Sequence, residues 1–184
     1  MGLGEPLRTR GGEWLRPAEA SKAAALYDAV DASRDALAPW LPWCTERYSP
    51  ASAEAFLAER TLEHRTLIFP DHESTAVLGA VSLMPVDRYD GVWKLGYWVR
   101  ADAQRGGVAR RAAATLCQAA FASAAVQRVS ILVAVDNAPS RRVAEALGAE
   151  LEGVLKSRLL LPSGRHDAAI YGLGPEALAE DLRP

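Results

Sequence analysis

Cysteine is scarce in this sequence, and no strong excess of charge of either sign is present. The 184 residues include only two cysteines, Cys44 and Cys117, too few for a disulfide framework or a four-cysteine metal site. Lysine and arginine total 21, and aspartate and glutamate total 23, so the net charge is −2. Because a general nucleic-acid-binding protein needs a basic face, this balance argues against nucleic acid as a partner.

Long apolar runs are missing as well. No run reaches the about 18 residues that a membrane-spanning helix needs, and the stretch from Met1 to Arg10 is polar, without an apolar signal segment. The three histidines have no metal-ligand spacing to one another or to cysteine, so we expect no metal. We therefore expect one reduced, cytoplasmic domain over residues 5–175, without a membrane partner.

Apolar residues are plentiful enough for a core, and strand and helix patterns alternate along the chain. Hydrophobic residues make up 49% of the sequence, although 35 of them are alanine. The proline-broken segment Leu37–Trp43 predicts a loop. The other elements predicted in the first half are a strand around Glu13–Arg16, a helix over Ala18–Val30 opened by Pro17, and a helix from Ser52 to near His64. An antiparallel meander is predicted next, from Thr66–Phe69, Thr75–Val86 and Val92–Arg100.

The second half contains the strongest helix and strand patterns. Gly107–Ala125 is rich in alanine and predicts a helix, and the apolar run Val129–Val135 predicts a strand covered on both faces. A helix over Pro139–Leu147 with Gly148 as its C-terminal glycine and a strand pair complete the chain; the pair is Leu151–Leu161 and His166–Leu173. The pattern predicts a single α/β (α+β) domain with a mixed sheet flanked by helices and a central β-α-β unit.

The segment Leu95–Arg111 predicts a strand, a short glycine-bearing loop and the start of a helix. A helix N-terminus exposes unpaired N–H groups, and Gly106 and Gly107 lack a Cβ, so a phosphate can approach the backbone closely. Three arginines add positive charge nearby: Arg105, Arg110 and Arg111. These features predict a diphosphate site, and the alternative is an ordinary helix start.

The sequence motif at this loop restricts the class of ligand that could bind there. The Gly-Lys-Ser/Thr loop of nucleoside triphosphate sites and the three spaced glycines of dinucleotide sites are both absent. The hexapeptide Gln104-Arg-Gly-Gly-Val-Ala109 resembles the Gln/Arg-x-x-Gly-x-Gly/Ala loop of the GCN5-related N-acetyltransferases, the GNAT superfamily, which holds the pyrophosphate of acetyl-CoA. The resemblance implies that acetyl-CoA contacts all six residues: Gln104, Arg105, Gly106, Gly107, Val108 and Ala109.

A second block lies at a suitable distance downstream. Val135–Ala149 is similar to the family segment Asn-x-x-Ser-x-x-Val-x-x-x-x-Gly-Phe, with Ala149 in place of the usual phenylalanine. The resemblance implies that Asn137 binds the pantetheine amide and that Ser140 is the general acid for the leaving thiolate. The alternatives are that Asn137 caps a helix and that Ser140 only positions the cofactor.

Further segments are similar to the RimJ/RimL-type branch of the superfamily: Trp40–Trp43, Gly96–Val99, Leu151–Arg158 and Gly164–Tyr171. The resemblance implies a GNAT fold with a mostly antiparallel sheet, and a homodimer is possible in this branch. It also implies a pantetheine slot against Trp98, Val99 and Arg100, with the N–H of Val99 or a neighbour facing the thioester oxygen. The acceptor would contact aromatic residues: Trp40, Trp43 and Tyr97.

The sequence does not identify a residue that could act as the general base. Many relatives carry glutamate where this chain has Lys94, and some carry one where it has Leu159. An α-amine, with an ordinary pKa of about 7.7–8.0, is partly neutral at pH 7 and depends less on a base than lysine does, so we expect deprotonation through water. His166-Asp167 matches a strand feature of the family; it implies a structural role, with an acceptor contact as the alternative.

The resemblance therefore implies an enzyme that moves an acetyl group from acetyl-CoA to a primary amine by direct attack in a ternary complex. The expected acceptor is a protein N-terminal α-amine, as in a ribosomal-protein-alanine N-acetyltransferase. One alternative is a small-molecule amine or antibiotic acetyltransferase. The other is an acyl-CoA-binding domain with weak catalysis, because the usual glutamate positions hold Lys94 and Leu159.

Overall fold

An eight-stranded sheet forms the centre of the computed structural model, which describes residues 3–59, 64–179 and 182. The strands are β1 (Leu7–Arg8), β2 (Trp14–Pro17), β3 (His64–Phe69), β4 (Gly79–Asp87), β5 (Val92–Val99), β6 (Arg128–Ala134), β7 (Glu150–Leu161) and β8 (Gly164–Leu173). Their order is β1-β2-β3-β4-β5-β6-β8-β7, and only the β5–β6 pairing is parallel. The predicted mixed, mostly antiparallel sheet is confirmed.

Helices cover both faces of the sheet. They are α1 (Ala23–Asp31), α2 (Arg34–Leu37), α3 (Pro50–Ala58), α4 (Val108–Phe121) and α5 (Ala138–Ala146). One face buries apolar side chains of α1 to α3 against Leu67 and Phe69 of β3. The other buries α4 and α5 against Leu95 of β5, Ile131 of β6 and Tyr171 of β8. The two layers of packing hold the strands between them, as the apolar run at Val129–Val135 predicts.

Several predicted boundaries are wrong. Pro17 ends β2 instead of opening a helix, and α1 begins only at Ala23 after a 3-10 turn. The second helix begins at Pro50 because Ser49 caps it in a capping box with Ser52, and it ends at Ala58. His64 belongs to β3, and residues 60–63 of the predicted helix lie outside the described residues.

The parallel strands β5 and β6 separate soon after they begin. Val92 to Lys94 pair with Arg128 to Ser130, and beyond these pairs the two strands diverge. Because side chains alternate between the faces of a strand, Tyr97 and Val99 point toward α4 and Trp98 toward α1 and α3. This divergence opens the sheet at its centre and positions the site described below.

The chain beyond β8 adds to the core. Gly148, with φ +92°, follows α5 as the predicted C-terminal glycine and accommodates the contact with Ala177. Leu178 and Leu182 are buried in the core beside α4, so packing extends past residue 175, the end of the expected domain. None of the described helices is long and apolar enough to cross a membrane.

Candidate active site

A cleft with a volume of about 810 Å³ passes between the diverging strands. Its floor is formed by Lys94–Val99 of β5 and Ile131–Ala134 of β6. The start of α4 and the start of α5 line one side. The segment after α2, with Trp40, and the end of β7, with Leu159, line the other. The cleft therefore connects two sides of the sheet through a gap in its hydrogen bonding.

The loop before α4 has an unusual backbone. Arg105 and Gly107 both have positive φ, 64° and 76°, and no described side chain caps the N-terminus of α4. The amides of the first turn therefore keep the positive end of the helix dipole open. A Cβ on Gly106 would meet no atom nearer than the Ala103 carbonyl oxygen at 3.9 Å. The loop has the shape and charge that suit a phosphate group.

The three arginines near this loop have different roles. Arg111 forms an ion pair with Glu13, and its Nη1 donates to the Gly106 carbonyl oxygen over 2.8 Å. Arg111 thus lies near the loop, as predicted, but its charge is paired within the protein. Arg110 donates through Nε to the Ala146 carbonyl oxygen at 2.9 Å, and it lines the cleft together with Arg105.

The backbone N–H of Val99 faces the gap between the strands. The Arg100 N–H donates to Leu78 on the β4 side at 2.7 Å, and backbone groups of successive strand residues point in opposite directions. On the opposite edge from β4, the Gln104 side chain donates through Nε2 to the Val99 carbonyl oxygen at 3.1 Å. Gln104 thereby ties the loop to the strand, and the Val99 N–H is directed into the cleft.

Asn137 and Ser140 lie at the start of α5, on the same side of the cleft as α4. Asn137 caps the helix, because its Oδ1 accepts from the Ser140 N–H at 3.1 Å. The capping role is confirmed, and it leaves the Nδ2 of Asn137 with no acceptor within the described ranges. Ser140 lies with its hydroxyl 3.1 Å from the hydroxyl of Tyr97, which also donates to the Ser140 carbonyl oxygen at 2.9 Å.

Tyr97 lies apart from Trp40 and Trp43, the other two residues predicted to contact the acceptor. Its ring belongs to the core beside α4, and burial raises its pKa to about 12 although the hydrogen bond with Ser140 opposes the rise. Trp40 lines the cleft on the opposite side, while Trp43 lines a second cavity of about 380 Å³. The alternation along β5, which places Tyr97 and Trp98 on opposite faces, explains the separation.

The second cavity is aromatic and adjoins the cleft. Trp98 lines both cavities, and Trp43 packs against it with the ring centroids 6.2 Å apart. Tyr48 lies 5.5 Å from Trp43, and Phe56 of α3 closes the far side. Trp43 nevertheless remains 44% exposed. This arrangement can bind an apolar or planar group beside the cleft.

No described aspartate or glutamate lines the cleft. Lys94 and Leu159, the two positions where the resemblance leads us to expect a glutamate, both line the cleft. The sequence indicated His166 as a residue with a structural role or an acceptor contact, but it did not reveal its hydrogen-bond partners Ser163 and Asp136 at the neighbouring edge. Only their positions at the ends of β6 and β8 could have suggested these contacts.

Cysteine chemistry and a metal centre find no support at this site. Cys44 and Cys117 are both buried, and burial raises the pKa of both thiols, that of Cys117 to about 12. A thiol with a raised pKa is a poor nucleophile. Over residues 3–59, 64–179 and 182, no group of three or more histidine, cysteine, aspartate or glutamate side chains could hold a metal ion.

A mixed sheet with diverging parallel strands, beside an open helix N-terminus, defines a protein that accommodates a long, phosphate-bearing ligand. Residues 14–150 match the family model described as an acetyltransferase (GNAT) domain. The match covers well over half of the chain, so the protein belongs to the GNAT acetyltransferase family.

One curated relative of this chain is a bacterial protein. YdaF of Bacillus subtilis (strain 168), named as a ribosomal N-acetyltransferase, is 31% identical over 98 residues. The match covers 53% of this chain and 54% of YdaF, so the chain spans about half the length of this curated relative.

Two solved structures share the fold over nearly the whole chain. RimL, a ribosomal L7/L12 α-N-protein acetyltransferase in complex with CoA, aligns with a TM-score of 0.86 and 23% identity over 94% of this chain and 99% of its own. The microcin C7 self-immunity acetyltransferase MccE, in complex with acetyl-CoA and AMP, aligns with a TM-score of 0.81 and 23% identity over 90% and 97%.

Proposed function

We propose that the protein transfers an acetyl group from acetyl-CoA to the α-amine of a protein N-terminus. The observation that carries the proposal is the continuous cleft that joins the open N-terminus of α4 to the gap between β5 and β6. One end of this cleft suits a diphosphate, and its centre offers unpaired strand amides to an extended, amide-containing chain. The family membership of residues 14–150 supports the same assignment.

In this proposal the cofactor is held mainly by backbone. The pyrophosphate lies against the amides from Gly106 to Ala109, with Gln104 and Arg105 at the loop and Val108 opening α4. The pantetheine arm follows the edge of β5 at Trp98 and Val99, and the free Nδ2 of Asn137 donates to one of its carbonyl oxygens. No metal takes part in the proposed reaction.

The chemistry then has two electrostatic requirements. The thioester oxygen gains negative charge when the amine attacks, and the inward-facing Val99 N–H is placed to stabilise it. The sulfur leaves as a thiolate and accepts a hydrogen bond from the Ser140 hydroxyl, which Tyr97 holds in place. Ser140 thus serves as the proposed acid, with Tyr97 as its positioning residue instead of a contact of the acceptor.

An α-amine suits the cleft better than a lysine side chain does. The wall contains Lys94 and no described carboxylate, so it does not attract an ammonium group. An α-amine is partly neutral at pH 7, whereas lysine, with an ordinary pKa of about 10.4, is almost fully charged. Trp40, on the side of the cleft opposite α4 and α5, is the proposed contact of the acceptor chain.

A small-molecule amine is the second candidate acceptor. The aromatic cavity of Trp43, Tyr48 and Trp98 favours it, because a planar or apolar group could bind there while an attached amine reaches the cleft. The complex of MccE with acetyl-CoA and AMP also supports an acceptor of this kind.

Release of CoA thiol from acetyl-CoA, measured with a panel of peptides and small amines, tests the proposal. We expect turnover with peptides that have a free N-terminal alanine and none with the same peptides blocked by acetylation. Turnover with small amines alone would support the second candidate. Binding of acetyl-CoA without turnover on any amine would contradict both and indicate an acyl-CoA-binding domain.

The proposal also includes the bounds of the domain, its cellular location and its oligomeric state. Residues 5–175 contain every strand and all five α-helices that the structure describes, and a cytoplasmic location suits the two buried free thiols Cys44 and Cys117. Homodimer formation is proposed from the exposed edge of β7.

A further inference from the structure

We propose that His166 is the general base that removes a proton from the acceptor amine, with Asp136 as the residue that orients it. The inference rests on the proposed acetyl transfer. It starts from two hydrogen bonds: His166 Nδ1 lies 3.3 Å from Asp136 Oδ2, and its Nε2 lies 2.7 Å from the Ser163 hydroxyl. Carboxylate, imidazole and hydroxyl are thus joined in series.

Strand register places this series beside the cleft. In the β6–β8 pairing Ala134 lies opposite Ala168, and the Val135 N–H continues the pattern by donating to the Asp167 carbonyl oxygen at 3.0 Å. Asp136 and His166 therefore come opposite each other one step further on, which explains their contact. Both share a sheet face with Ala134, because side chains two residues apart point the same way.

The pairing of β7 with β8 places His166 next to residues that line the cleft, although His166 is not itself a lining residue. His166 lies opposite Leu159 in the β7–β8 pairing, and cross-strand partners point to the same face. Leu159 and Ala134 both line the cleft. The His166 ring is thus flanked by two wall residues on the side that also carries Trp40, opposite α4 and α5, where the acceptor would enter.

The two ring nitrogens of His166 have different partners, and the ring is within reach of solvent. The His166 side chain is 22% exposed, and that of Asp136 is 72% exposed. With Nδ1–H donating to Asp136, Nε2 presents its lone pair, which accepts from the Ser163 hydroxyl until an amine replaces it. Asp136 then stabilises the imidazolium that forms.

The step balances. The amine nitrogen attacks the acetyl carbon and forms the C–N bond while its proton passes to His166 Nε2. The C–S bond breaks, and the CoA sulfur leaves as a thiolate that takes one proton from the Ser140 hydroxyl, which regains a proton from solvent. The imidazolium releases its proton to solvent, so the products are the amide and CoA thiol, with no other reactant.

Chemical rescue tests the base. In His166→Ala we expect kcat for a peptide with a free N-terminal alanine to fall about 100-fold, with unchanged affinity for acetyl-CoA by calorimetry. Added imidazole should restore part of the lost rate, whereas pyrazole, of equal size but far weaker as a base, should not. His72→Ala is the matched control, because this exposed histidine lines neither cavity, and it should retain activity. His166→Asn, which can keep the bond to Asp136, should remain folded and slow.

The outcomes separate the two proposals. Wild-type protein without turnover on any amine overturns the proposed function and this inference with it. An active wild type with His166→Ala within twofold of it overturns the inference alone. A loss that imidazole and pyrazole affect equally also overturns it, because a structural defect would respond in that way.

Discussion

Gly106 and Gly107 are adjacent, but different constraints act on them. Gly107 has a φ of +76°, which side-chain-bearing residues rarely adopt, so the fold itself needs glycine there. Gly106 has no such backbone requirement, and the space where its Cβ would lie is open. A substitution at Gly106 therefore reports on what binds to the loop, whereas a substitution at Gly107 also strains the start of α4.

The first prediction concerns Gly106→Val. The added side chain would occupy the space proposed for the pyrophosphate, so we expect the KM for acetyl-CoA to rise about tenfold, equivalent to ~1.4 kcal/mol. Gly153→Val is the matched control, because a Cβ there also meets open space but lies on β7, outside the cleft. Steady-state kinetics and thermal unfolding of both variants check it. An unchanged KM in a folded Gly106→Val protein would contradict the phosphate site.

Single residues also show how far the sequence predicts the site. Gln104 to Ala109 and Asn137 belong to local motifs, and a local motif determines its own backbone geometry. The partners of Tyr97 and His166 come from distant segments: Tyr97 contacts Ser140, 43 residues away, and His166 contacts Asp136, 30 residues away. Such contacts depend on strand register, which composition and periodicity do not specify.

At the scale of elements, long patterned segments were predictable and short ones were not. The alanine-rich helix α4 and the apolar strand β6 follow from propensity and hydrophobic pattern. β1 has two residues and α2 has four, too few for a periodic signal. Their positions come from tertiary contacts, since β1 exists only by pairing with β2.

The β1–β2 hairpin is linked to α4 by a buried carboxylate, Glu13. Burial works to raise the pKa of Glu13, but hydrogen bonds from Arg111 and Thr9 outweigh it and hold the pKa below its ordinary value. A lowered pKa in the folded state stabilises the fold above the unfolded pKa, near 4.5. That contribution is lost as the pH falls from about 4.5 through the lower pKa of the folded state.

The second prediction concerns Glu13→Gln. At pH 7 we expect its free energy of unfolding to fall by about 2 kcal/mol, because Arg111 loses a charged acceptor. Below pH 4.5 the variant and the wild type should converge, since the wild type also loses the carboxylate charge. Urea unfolding at a series of pH values measures both. The matched control is Glu54→Gln on the exposed side of α3, and a Glu13 variant that behaves like it would refute the linkage.

At the scale of the whole molecule, the sheet is open, and β1 and β7 are its two outer strands in the described part of the chain. β7 has β8 as its one neighbour in the described part of the chain, and nine of its 12 residues are exposed. Large apolar side chains are exposed along it: Leu151, Val154, Leu155 and Leu160. A long apolar edge strand invites pairing with another strand. A second copy presents the same edge, so a two-fold pairing of β7 with β7 would satisfy both.

The last prediction follows from this edge. We expect light scattering behind size exclusion to give twice the chain mass of 19.8 kDa, and Val154→Lys to shift it to one chain, because a lysine on an edge strand opposes pairing. Val86→Lys is the matched control: Val86 is 61% exposed, but it lies at a bulge of β4, an inner strand whose neighbours in the sheet are β3 and β5. Because Val154 lies outside the cleft, the monomeric variant should bind acetyl-CoA as the wild type does. If Val86→Lys dissociates the dimer and Val154→Lys does not, the contact lies elsewhere, and β7 is a solvated edge.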